Sequence, residues 1–69
     1  MRRLRRIREQ KALSLRQLEQ LSGVDYSTIS KLETGESRNP RLETIVRLAQ
    51  ALGVDLSELI DPKELLATK

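Results

Sequence analysis

Hydrophobic positions fall in short helical stripes separated by residues that start or stop helices. Leu4 and Ile7, three apart, set the inward side of a first helix over residues 2–11. Ser14-Leu15-Arg16-Gln17 has the S-x-x-Q pattern of a capping box, in which hydroxyl and amide each satisfy the other's backbone N–H. It opens a second helix that runs to Ser22, with Gly23 just past its end. Asp25 is a good N-cap for a third helix, 26–34, which Gly35 stops. The polar run Glu36-Ser37-Arg38-Asn39-Pro40 reads as a loop. Pro40 fits near the first turn of a fourth helix over 41–52, closed by Gly53. Asp55-Leu56-Ser57-Glu58 repeats the capping pattern and opens a short fifth helix to Ile60. In the tail, 61–69, Asp61-Pro62-Lys63-Glu64 predicts one more turn through Leu66.

Composition agrees with an all-α reading. Among 69 residues the only aromatic is Tyr26, so the core must be aliphatic, and an aromatic-free β-sandwich or barrel is an unusual object. Residues 1–69 make a single domain, too small for a deep cleft or an inserted catalytic lobe. There is no Cys and no His, which excludes disulfide staples, zinc fingers and Cys or Ser–His nucleophile systems. No metal site, cofactor or small-molecule pocket is expected. No apolar run approaches the roughly 20 residues that span a bilayer, so no membrane-spanning helix is expected. The charged N-terminus lacks the apolar stretch of a secretion signal, and the lack of cysteine fits a reducing cytoplasm.

The net charge of +3 conceals an asymmetry. Residues 1–16 carry seven basic side chains against Glu9 alone, a net +6, while the remainder carries six basic and nine acidic groups, a net −3. A basic end on a near-neutral body points to an anionic partner, nucleic acid or a membrane surface, or else to a plain solvated face. Arg2, Arg3, Arg5, Arg6 and Arg8 fall in the first turns of a helix, where the macrodipole disfavours cations by about 0.3–1 kcal/mol each. A chain that keeps them there has reason to use them on something outside.

The connection between the second and third helices is only Gly23-Val24-Asp25, a three-residue turn that forces the sharp angle of a helix-turn-helix or of a generic αα-corner. At about 100° per residue, Leu32 and Glu33 lie within roughly 60° of Ile29, while Ser27, Ser30, Lys31 and Thr34 occupy the far side. That outer face is hydroxyl-rich with one Lys, side chains able to hydrogen-bond base edges. Tyr26 either offers its ring to a thymine methyl or its hydroxyl to a phosphate, or packs on a neighbouring helix. The same arithmetic puts Arg8 beside the inward stripe of the first helix and Glu33 beside that of the third. Ions so placed need partners, and an Arg8–Glu33 salt bridge between the two helices is predicted.

Leu4…Ile7-Arg8…Leu13-Ser14…Leu18…Gly23-Val24…Ser27-Thr28-Ile29-Ser30-Lys31-Leu32-Glu33-Thr34-Gly35…Asn39-Pro40…Leu42-Glu43-Thr44…Leu48-Ala49…Ala51-Leu52-Gly53-Val54…Leu59 resembles the Cro and phage-repressor type of helix-turn-helix domain, the XRE family. The resemblance covers about 4–60, with the motif at 15–34. It implies a lambda-repressor-like bundle of five helices whose third helix enters the major groove. It implies base contacts from Tyr26, Ser27, Thr28 and Lys31, and backbone contacts from Arg16, Gln17, Ser30, Arg38, Asn39 and Arg41. The Arg8–Glu33 pair matches a recurring feature of the family. Four positions depart from the pattern. Leu15 replaces a frequent Gln, Glu19 a usually small residue, Leu21 a commonly charged one, and Ala12 a frequent Gly. Glu19 is expected to turn its carboxylate outward, since otherwise the helix crossing would open.

The expected function is a sequence-specific, double-stranded-DNA-binding transcriptional regulator, repressor-like, cytoplasmic and nucleoid-associated, acting as a homodimer. Leu56, Ile60, Leu65 and Leu66 are the candidate dimer surface, unless they only cover the core. The alternative is a protein–protein module on the same fold, antitoxin-like or coactivator-bridging. With no plausible acid–base constellation, an enzyme is not expected.

Overall fold

The computed structural model describes residues 1–37 and 40–60. Arg38, Asn39, the turn expected at 61–66, and Leu65 and Leu66 with it, lie outside the described residues. Among those described there are five helices and no strand: α1 (Arg2–Gln10), α2 (Leu15–Ser22), α3 (Tyr26–Thr34), α4 (Leu42–Leu52) and α5 (Leu56–Leu59). None is long and apolar enough to cross a membrane.

Local chemistry fixes most of the boundaries. Ser14 Oγ accepts from the Gln17 amide at 3.0 Å while Gln17 Oε1 accepts from the Ser14 amide at 2.8 Å, so the capping box that starts α2 is closed in both directions. Glu58 Oε2 accepts from the Asp55 amide at 2.9 Å at the start of α5. Gly23 ends α2 at φ 76°, a left-handed conformation that glycine adopts without a Cβ penalty, and the chain turns there toward α3. α4 begins one residue later than the sequence pattern suggests. Arg41 is extended (φ −68°, ψ 147°) and acts as N-cap without a side-chain hydrogen bond, because a guanidinium has no acceptor to offer the first-turn amides.

The helices close over one aliphatic core. Leu4, Leu18, Ile29, Leu32, Leu48 and Leu59 are fully buried, joined by Val24, Ile45, Ala49 and Leu52. Burying side chains of this kind contributes about 1.5–3 kcal/mol each. α2 packs on α3 and α4, α1 on α3 and α5, and α5 on α4. The inward stripe of α3, Ile29 and Leu32, is held by this scaffold, and the opposite side of the helix is left outside.

One backbone feature carries strain. Ala12, in the turn after α1, sits at φ 56°, the only non-glycine residue with positive φ among the described residues. The left-handed region costs an L-residue with a Cβ roughly 1–2 kcal/mol. Against the entropy that glycine loses on folding, Ala12→Gly is expected to stabilise the domain by about 0.5–1 kcal/mol. A thermal melt should show Tm rising by roughly 2–8 °C.

Candidate nucleic-acid interface

α3 presents its outer face openly. Ser27, Thr28, Lys31 and Thr34 are exposed, Ser30 is partly buried, and Tyr26, at the first position of the helix, is 39% exposed. Arg16, on α2, lays its guanidinium over the Tyr26 ring with Cζ 4.3 Å from the centroid. That cation–π contact holds the ring against α2 while the residue stays 39% exposed, so packing and exposure coexist at this residue.

The polar side chains of the face differ in what they have left to offer. The Ser27 hydroxyl donates to Asp25 Oδ2, which also accepts the Ser27 amide at 3.0 Å. The Asp25 carboxyl consequently lies below its ordinary range, chiefly through the Ser27 hydroxyl, with backbone amides of Ser27 and Thr28 adding to the effect and desolvation opposing it. Thr34 Oγ1 donates to the Lys31 carbonyl at 3.3 Å and accepts from the Glu36 amide at 3.4 Å, so it closes the end of the helix. The Thr28 hydroxyl and the Lys31 ammonium have no hydrogen bond or ion pair among the described residues. On α2, Gln17 uses its Oε1 in the capping box and keeps its amide N–H groups outward.

Both ends of α3 are tied to neighbouring helices. At its start, Glu19 Oε2 accepts from the Tyr26 amide at 3.1 Å. The carboxylate reaches across the turn instead of pointing away. The reason is electrostatic: the first N–H groups of α3 have no intrahelical partner, and a negative group is favourable there. At the far end, Arg8 and Glu33 form a bidentate pair, Nε to Oε2 at 2.6 Å and Nη2 to Oε1 at 3.0 Å, and Arg8 Nη1 also donates to the Leu13 carbonyl at 2.7 Å. The side chains are 12% and 6% exposed. The hydrogen bond to Glu33 raises the Arg8 pKa above its ordinary value, against desolvation. The Met1 amino group adds a bond to the Leu32 carbonyl at 2.7 Å.

Other candidate residues are dispersed around this face or away from it. Arg41 is exposed at the start of α4. Leu56 and Ile60 are partly buried against the core, whereas Leu21 and Leu42 stand out at 59% and 67% exposure. On α1, Arg2, Arg5 and Arg6 are exposed, with Arg5 paired to Glu9 at 3.3 Å. The sequence gives no warning of the Glu19 cap or of the Arg16–Tyr26 stack.

Two short helices joined by Gly23-Val24-Asp25, the second held by its apolar side and open on its polar side, define a helix-turn-helix domain. The helix-turn-helix family profile matches residues 4–59, and the chain belongs to that family, in its XRE branch. It is 42% identical over 59 residues to the uncharacterized HTH-type transcriptional regulator y4dJ of Sinorhizobium fredii, covering 86% of this chain and 75% of that protein. It is 35% identical over 66 residues to the HTH-type transcriptional regulator SlrR of Bacillus subtilis, covering 96% of this chain and 43% of SlrR. With the HTH-type transcriptional repressor RghR of the same organism the identity is 39% over 57 residues, 83% of this chain and 42% of RghR. The chain thus spans three quarters of one of these relatives and less than half of the other two. No solved structure matches it significantly. The chain is a DNA-binding domain of the transcriptional-regulator class and not an enzyme.

Proposed function

We propose that this domain recognises a specific double-stranded DNA sequence by laying α3 in the major groove, and that it acts as a repressor-like regulator in the cytoplasm, on nucleoid DNA. The observation that carries this reading is the open polar face of α3, where Ser27, Thr28 and Lys31 are exposed on a helix whose opposite side is locked into the core. Tyr26, Ser27, Thr28 and Lys31 address base edges. Arg16, Gln17, Ser30, Arg38, Asn39 and Arg41 address phosphates and set the register of docking. Arg16 has a double task, since it also backs the Tyr26 ring.

The domain works as a homodimer on half-sites about 34 Å apart, one turn of the duplex. Leu56 and Ile60, packed on the core but still partly exposed, are the described residues offered for that interface, with Leu65 and Leu66 the candidates outside the described residues. Selection of bound sequences from a random DNA pool tests the whole reading. A two-fold symmetric motif is expected, and recovery of no sequence preference would overturn it.

The roles of individual residues separate in the same assay. Lys31→Ala should relax preference at one base position, a loss of about 1–3 kcal/mol in discrimination. Arg41→Ala should weaken binding to specific and random duplexes alike. Fluorescence anisotropy titrations on both duplexes check this division, which fails if the two variants lose the same amount on each.

A further inference from the structure

We infer that Asp25 sets the hydrogen-bonding polarity of Ser27, so that Ser27 reads an exocyclic amino group in the major groove, cytosine N4 or adenine N6, and does not read the acceptor edges of guanine or thymine. The inference rests on the proposed placement of α3 in the major groove and deepens it.

A serine hydroxyl has one hydrogen and two lone pairs. On a free rotor it suits either a donor or an acceptor, which is why serine contributes little discrimination by itself. Here the rotor is engaged. Ser27 Oγ–H donates to Asp25 Oδ2, and the Ser27 amide donates to the same oxygen at 3.0 Å. An ionised carboxylate only accepts, so the direction of that hydrogen bond is not reversible. With its hydrogen turned back toward Asp25, the exposed oxygen offers lone pairs alone. In the major groove, lone pairs are complementary to the amino groups of cytosine and adenine and are repelled by guanine O6/N7 and thymine O4.

Lys31, one helical turn further along the same face, is the opposite case: an ammonium only donates, and it has no partner among the described residues. Between them Thr28 keeps a hydroxyl without a partner among the described residues, able to act in either sense. The face therefore runs from an acceptor at Ser27 through an ambivalent group to a donor at Lys31. Asp25 touches no base in this scheme. It is a positioning residue whose N-cap bond and polarity-setting bond use the same oxygen.

The test uses the whole chain. Pool selection with the wild type and with Ser27→Ala first identifies the base pair at which the serine matters. Duplexes are then made in which that pair lacks either its amino group (purine for adenine, 2-pyrimidinone for cytosine) or its purine N7 (a 7-deazapurine). Loss of the amino group should weaken wild-type binding about fivefold, the worth of one hydrogen bond, and leave Ser27→Ala unaffected, while loss of N7 should change neither. A loss on removing N7, or on removing neither group, overturns the inference with the wild type alone. Asp25→Gly, which keeps most of the capping preference, should bring the amino-group dependence down to within about twofold, since the freed rotor recovers its donor; retained dependence would also overturn it. If the pool yields no motif at all, it is the DNA reading that fails, and this is a different result.

Discussion

Glu33→Ala is expected to destabilise the domain by about 3–5 kcal/mol, enough to leave a chain of this size largely unfolded near body temperature. The substitution removes little packing area but strands a guanidinium that is 12% exposed and loses both bonds to its carboxylate partner. Only the Leu13 carbonyl would remain to it. Glu33→Gln keeps one acceptor and should lose less, and Arg8→Met, which removes the charge along with the bonds, should lose less than Arg8→Ala. Thermal melts of the four variants check the order; an unchanged Tm in Glu33→Gln would mean that the pair is not structural. Because Arg8's folded pKa is raised, its share of this stability is fully present below its unfolded value and is lost only as pH rises through the folded one, beyond the range in which the domain works. Salt should also matter little to the pair, since it is shielded from solvent.

Binding to DNA should respond to salt in the opposite way. A dimer making six to ten phosphate contacts loses about 10³–10⁵ in affinity between roughly 50 and 200 mM salt, as the condensed counterions it displaced are restored. Arg16, Lys31 and Arg41 are exposed, and two copies bring the cation count into that range. A titration series at stepped salt concentration measures the slope. Arg41→Ala should make it shallower by about one per phosphate contact removed. A flat dependence would remove phosphate contact from the proposal, and with it most of the reason for the exposed arginines.

The helix order was legible because the chain writes its own boundaries. Ser14 with Gln17 and the glycines at 23, 35 and 53 mark starts and stops through purely local bonds, and the i,i+3 stripes assign the inward faces of α1 and α3. The start of α4 slipped by a residue because Arg41 carries no capping atom and the pattern gave no sharper signal. Contacts that cross the turn were not legible in the same way. Whether Glu19 points to solvent or to the Tyr26 amide depends on the angle between α2 and α3, which no periodicity encodes. The direction of the Ser27 hydroxyl is of the same kind. Its position just before the third helix marks Asp25 as a cap, but that its oxygen also takes the hydroxyl proton follows only from the geometry of the first turn. Ala12 was readable as a departure from a glycine, and its positive φ supplies the reason why glycine is usual there.

Glu19 at one end of α3, and Arg8 with the Met1 amino group at the other, hold that helix as a beam is held at both supports. A probe mounted this way arrives at its target already aimed. Little orientational freedom is left to surrender on docking, so more of the contact free energy appears as affinity. Under the proposed docking, the same stiffness limits tolerance, because a helix tied at both ends adapts little to a duplex of the wrong groove width.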